Sequence, residues 1–156
     1  MSLHTSTRSS ELPVTPAAAW AVLACGRPGR RWYVDAAPLV FRGLLDRLVG
    51  GHTPAAPPGR DLLRAGDRAG FWRVTRAAAL LLELEAQVRS PGTITLRSTV
   101  SETTGGCLLV QSVTFRPHGI LGSAYLLADL PAREALISLV HRRVCADIGS
   151  AVSGRT

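Results

Sequence analysis

A few residues in this sequence have the types and spacing that proton transfer or ligand capture requires. Arg42 and Asp46 stand four apart in a stretch of helical period, so they share one flank of that helix. Beneath a flap they would serve as an anion clamp and a general acid or base. On an open surface the same pair is worth roughly a few tenths of a kcal/mol. His118 follows Arg116-Pro117 at the end of a strand-like run, where a pocket rim would lie. An imidazole there can move protons near neutral pH, and a solvated turn histidine is the plain alternative. Trp32, Tyr33 and Trp72 either line a pocket mouth, stacking on a flat ligand, or pack a junction between helix and sheet. His141 and Cys145 are four apart on a helical segment, a spacing that can hold a metal. No third or fourth ligand accompanies them in the sequence, so no metal site is expected.

Other chemistries are excluded by what the chain lacks. All 18 basic residues are arginine, and without lysine there is no Schiff base, no pyridoxal anchor and no P-loop. Cys25, Cys107 and Cys145 are widely separated with no C-x-x-C, and read as small buried apolar residues. Neither a G-x-S-x-G elbow nor a Gly-rich dinucleotide fingerprint is present. The net charge of +7 invites a nucleic-acid reading, but the arginines are scattered and aromatics make up 5%. No basic stripe or stacking platform emerges, so no nucleic-acid partner is expected. The apolar runs are too short to span a bilayer, and residues 1–10 lack the apolar core of a signal peptide. A cytoplasmic location and no membrane partner are the expectations.

The elements that must position these residues are organised around a run from Phe71 to Pro117. Four strands are predicted there: Phe71 to Arg76, Leu80 to Arg89, Thr93 to Glu102 and Cys107 to Arg116. Leu80, Leu82, Leu84, Ala86 and Val88 share one face of the second strand, opposite Glu83, Glu85 and Gln87, the period of a half-buried antiparallel strand. Ser98, Ser112 and Thr114 fall on the inward parity in one reading. In another, Leu109, Gln111, Val113 and Phe115 form the inward face of the fourth strand. Thr15-Pro16 predicts an N-cap and a helix to Ala24. Asp35 reads as the N-cap of a second helix whose apolar stripe is Val40, Phe41, Leu44, Leu45, Leu48 and Val49. Residues 52–60 form a flap or crossover. Ile120 to Ile148 supplies a final helix, which Pro131 begins or kinks.

Short helices, then a curved meander, then a long final helix: this order resembles the helix-grip fold of the START-like (SRPBCC) superfamily. Trp32-Tyr33, the segment Arg42 to Gly51, Gly66-Asp67, Phe71 to Val74, Pro91-Gly92, Gln111, Thr114 to Pro117, Gly119, Leu121-Gly122 and Tyr125 narrow it. Together they are similar to one uncharacterised bacterial domain family that often follows a short-chain dehydrogenase-like domain. Gln87, Thr95 and Arg133 depart from its usual glutamate, tryptophan and histidine, which suggests a stand-alone copy.

The resemblance implies an α+β helix-grip domain over residues 1–156, with a flexible lead at 1–10 and a flexible tail at 150–156. It implies an apolar pocket between sheet and final helix. The ligand residues expected are Trp32, Tyr33, Arg42, Trp72, Gln111 and Tyr125, with Asp46 and His118 as the proton carriers. The function expected is a cyclase, dehydratase or isomerase that needs no cofactor, acting on a hydrophobic, polyketide-like small molecule. A carrier or sensor of a lipid-like ligand is one alternative. An interaction subunit of a separate dehydrogenase-like partner is the other, and a homodimer is a further possibility for assembly.

Overall fold

The computed structural model describes residues 4–35, 55–87, 92–117 and 119–154, with the side chains of 4, 35 and 119–133 excepted. The strands of the predicted meander form as β5 (Trp72–Ala78), β6 (Leu81–Ala86), β7 (Gly92–Thr103) and β8 (Gly106–Pro117), each antiparallel to the next. Two further strands, β1 (His4–Leu12) and β4 (Arg68–Ala69), complete a six-stranded sheet in the order β1-β8-β7-β6-β5-β4. A small second sheet pairs β2 (Cys25–Gly26) with β3 (Arg60–Leu62).

The amino-terminal lead forms a strand from residue 4 onward. His4–Leu12 pairs with β8 along its whole length, from His4 opposite Phe115 to Leu12 opposite Cys107. The reason it reads as a lead is that its inward positions Ser6, Arg8 and Ser10 are polar, so its pattern carries no apolar period. The expected tail at 150–156 is likewise helical through Ser153.

Register defines the inward face row by row. Val74 stands opposite Leu84, Leu84 opposite Leu96, Leu96 opposite Val113, and Val113 opposite Ser6. The next row runs Leu82, Ser98, Gln111 and Arg8, and the one after it Val100, Leu109 and Ser10. This settles the ambiguous parity of β8: Leu109, Gln111, Val113 and Phe115 are buried, whereas Ser112 and Thr114 lie on the outer face.

Among the described residues, three helices cover that face. Helix α1 (Pro16–Leu23) starts as the Thr15-Pro16 pair predicts, with the Thr15 hydroxyl oxygen accepting from the Ala18 amide at 3.2 Å. A single turn, α2 (Trp32–Asp35), follows. The helix expected beyond Asp35 lies outside the described residues from residue 36 on. The last helix, α3 (Gly119–Ser153), is 35 residues long, about 52 Å at 1.5 Å per residue. Pro131 lies within it and does not begin it. Ile137, Val140, Val144 and Ile148 are its buried stripe, packed over β1, β8 and α1.

Two turns fix the sheet's edges. Ala79 and Leu80 both adopt positive φ, 52° and 61°, giving the tight β5–β6 hairpin the hand that matches strand twist. Gly106 opens β8 with φ 149°, and a Cβ there would strike the Leu12 carbonyl of β1. Only glycine lets β1 and β8 close at that end.

Candidate functional site

The predicted site residues separate into three places. Trp32, Tyr33 and Trp72 come together, but in the core: they are 1%, 0% and 4% exposed. The Trp32 indole N–H donates to the Leu23 carbonyl at 2.9 Å, and the Tyr33 hydroxyl donates to the Cys25 carbonyl at 2.6 Å. Trp72 donates to the Tyr33 carbonyl at 2.9 Å, joining α2 to the sheet. The rings of Trp32 and Tyr33 meet edge to face at 5.5 Å. Their polar atoms are occupied by backbone carbonyls, so packing of the helix–sheet junction is the reading this geometry favours. Gln111 lies elsewhere, at the centre of the inward face. Arg42, Asp46 and His118 lie outside the described residues, and Tyr125 falls on α3 where side chains are not described.

Gln111 belongs to a buried polar chain that no sequence motif announced. Its amide donates to the Ser98 hydroxyl at 2.9 Å, and its carbonyl oxygen accepts from His141 Nδ1 at 3.0 Å. With Nδ1 protonated, His141 Nε2 is an acceptor, and Ser10 donates to it at 2.8 Å. Cys145 Sγ lies 3.7 Å from the same nitrogen. Beside this chain, Arg8 pairs with Glu134 at 2.7 Å and donates to Ser138 at 3.0 Å, while Ser6 donates to Glu134. The helix is therefore docked on the polar inner face of β1 by a seam of hydrogen bonds. Among the described residues no group of three or more metal-binding side chains is assembled. Burial pushes the Cys107 and Cys145 thiols above their ordinary range, so both are neutral and unreactive.

Burial, reinforced by the charge of Arg8, holds the His141 imidazole below its ordinary value. The folded protein thus binds fewer protons than the unfolded chain wherever the two titrations are separated. The stability His141 contributes is complete above the unfolded value near 6.5 and is lost as pH falls through that value toward the folded one. Thermal melting is expected to drop between pH 7.5 and pH 5. In His141→Gln that part of the drop should be absent, and an unchanged pH profile would show that the imidazole is not the responsible group.

Among the described residues, burial is incomplete at two positions of the next inward row. Leu84 and Leu96 are 1% and 2% exposed, but Ala86 and Ile94, one inward position further along β6 and β7, are only half-buried. Phe71, against Trp72 at 4.8 Å, is also half-buried. Ala86 and Ile94 are therefore partly accessible apolar positions, whereas Trp72 and Phe115, their strand partners in the same row, are each 4% exposed.

A second concavity, of about 580 Å³, lies between α1, the paired strands β2 and β3 and the carboxy-terminal turns of α3. Arg27, Arg30, Arg31 and Arg143 line it with Asp61 and Asp147. No local motif marks it, since Arg143 and Asp147 are more than 100 residues from the arginines of the 27–31 turn. Among the described residues, no helix is long and apolar enough to cross a membrane.

A family model described as "Protein of unknown function (DUF2867)" matches residues 2–139. No curated protein matches the chain in sequence. The crystal structure of Ara h 8.0201 is similar at a TM-score of 0.52 and 15% identity, over 97% of this chain and 99% of that one. A protein from Rhodobacter sphaeroides is similar at 0.47 and 16% identity, over 97% and 99% of the two chains. One from Chromobacterium violaceum is similar at 0.42 and 13% identity, over 88% and 95%. The likeness to Ara h 8.0201 identifies the fold as helix-grip α+β, a curved antiparallel sheet gripping a long carboxy-terminal helix.

Proposed function

We propose a small-molecule-binding function for this chain, which belongs to the DUF2867 family of proteins of unknown function. The ligand is a hydrophobic, polyketide-like molecule held between the sheet and the amino-terminal half of α3. The observation that carries this reading is the partial exposure of the inward residues Ala86 and Ile94, beside fully buried Leu84 and Leu96. An apolar wall with a few polar groups nearby suits such a ligand. The catalytic form of the reading is cyclisation, dehydration or isomerisation without a cofactor. The pocket holds a reactive chain in a productive conformation, and Asp46 and His118 carry protons.

The neutral fluorophore N-phenyl-1-naphthylamine tests the binding claim. It should bind the native protein with enhanced emission, and Ile94→Trp, which fills the wall, should weaken binding by about tenfold or more, the loss of one well-packed apolar contact surface. No binding, or binding unchanged in Ile94→Trp, would contradict the pocket. Turnover of a polyketide-like substrate that falls in Asp46→Ala or His118→Ala supports the enzyme. Unchanged turnover in both removes the two residues from the chemistry.

A further inference from the structure

We propose that the cleft between α1, the β2–β3 strand pair and the end of α3 is a separate ligand site for an organic anion, a carboxylate or phosphate attached to an apolar body. It goes beyond the pocket reading, because Arg143 and Asp147 occupy a flank of α3 beside the buried stripe of Val140, Val144 and Ile148, not the stripe itself.

Charge and its arrangement carry the proposal. Four guanidinium groups and two carboxylates line the cleft, leaving a surplus of two positive charges. Each carboxylate already holds one guanidinium: Asp61 pairs with Arg27 at 2.7 Å, and Asp147 with Arg143 at 2.8 Å. The Arg31 fork is fixed by the carbonyls of Arg27, Pro28 and Arg30 at 2.9 to 3.1 Å, which organises the turn that presents its neighbours. Arg30 is exposed in that turn and contributes its guanidinium to the cleft wall. The Arg27–Asp61 pair is itself well exposed, with side chains 65% and 81% accessible. Such a pair contributes little to stability and opens readily, freeing Arg27 for an incoming anion. Guanidinium forks match carboxylate and phosphate oxygens in paired hydrogen bonds.

The apolar component has its own wall. Leu62 is 40% exposed, unusual for a large aliphatic side chain, and it faces the same concavity as Val22 and Ala151. A volume of about 580 Å³ falls within the range that encloses a metabolite-sized ligand. A concave, mixed site of this size fits a small amphipathic anion better than an extended acidic peptide.

The test is a titration of isotope-labelled protein, followed by backbone amide shifts, with 1-naphthyl phosphate, 1-naphthoate and neutral 1-naphthol. Shift changes are expected at residues 21–32, 60–62 and 143–151, with affinity falling as sodium chloride is added. The neutral naphthol should bind at least about tenfold more weakly, and Arg30→Ala should weaken the anions by a similar factor. Equal binding of both anions assigns a carboxylate-type ligand, and preference for the phosphate assigns a phosphorylated one. Arg30→Ala should leave the binding of neutral N-phenyl-1-naphthylamine unchanged, which separates this site from the inner wall. The proposal is overturned by no shifts at millimolar probe, by shifts centred on Ala86 and Ile94, or by anion affinity that is indifferent to Arg30→Ala.

Discussion

Trp72→Ala is expected to cost about 3–5 kcal/mol of folding free energy, the range for removing a buried aromatic side chain. Trp72 is 4% exposed, stacks against Phe71 and donates to the Tyr33 carbonyl at 2.9 Å. Alanine would leave a cavity at the junction of α2 and the sheet and an acceptor without its donor. Domains of this size are commonly stable by about 5–15 kcal/mol, so the variant should be marginal at the low end of that range. Trp72→Phe keeps most of the packing and loses the N–H, at a cost of about 1–3 kcal/mol. Urea denaturation of the three proteins measures both differences. A loss below about 1 kcal/mol in Trp72→Ala, together with lost probe binding, would place the ring at a ligand mouth and not in the junction.

Gln111→Leu is expected to cost about 2–4 kcal/mol, because an apolar side chain of similar size leaves two groups unpaired. Gln111 is fully buried, and both ends of its amide are bonded, to Ser98 and to His141 Nδ1. A hydroxyl can rotate to redirect its hydrogen, whereas the His141 ring is fixed on α3 and can answer only by a change of tautomer. The cost should therefore fall largely on His141. Adding His141→Leu to Gln111→Leu should be less destabilising than the sum of the two single changes, since the second removes the group that the first strands. Strict additivity in chemical denaturation would show that the two residues do not act as one unit.

The parts of this fold that were legible are those where burial and chemistry agree. In β6 the alternation of Leu82 and Leu84 with Glu83 and Glu85 matches a strand with one buried face, and the register confirms it. The turn at Thr104-Gly105 and the Thr15-Pro16 helix start carry ordinary sequence signals, and both occur. The illegible parts are those where polar groups face inward. In β1 the inward residues are Ser6, Arg8 and Ser10, whose partners Glu134, Ser138 and His141 lie more than 120 residues away. No local period can reveal such a strand. The β5–β6 turn was hidden for another reason: Ala79 and Leu80 take the left-handed region without glycine or asparagine.

The site shows the same division. Gln111 was singled out, and it proved central, but as the hub of a chain whose other members Ser10, Ser98 and His141 come from three separate elements. By type, Trp32 and Tyr33 fit either a pocket mouth or a helix–sheet junction, and their hydrogen bonds to Leu23 and Cys25 favour the junction. Arg42, Asp46 and His118 lie outside the described residues, so the proton-transfer roles of Asp46 and His118 stand as part of the proposal.

The central claim is that a hydrophobic ligand occupies the inner face of the sheet at the partly exposed Ala86 and Ile94 of β6 and β7. Contacts between bound N-phenyl-1-naphthylamine and methyl groups, read as intermolecular nuclear Overhauser effects on methyl-labelled protein, test it directly. The account predicts effects from the probe's aromatic protons to the Ile94 and Ala86 methyls, and none to Leu62 in the outer cleft. Effects confined to Leu62 and its neighbours, or absent at Ile94 and Ala86 when the probe is bound, would contradict it.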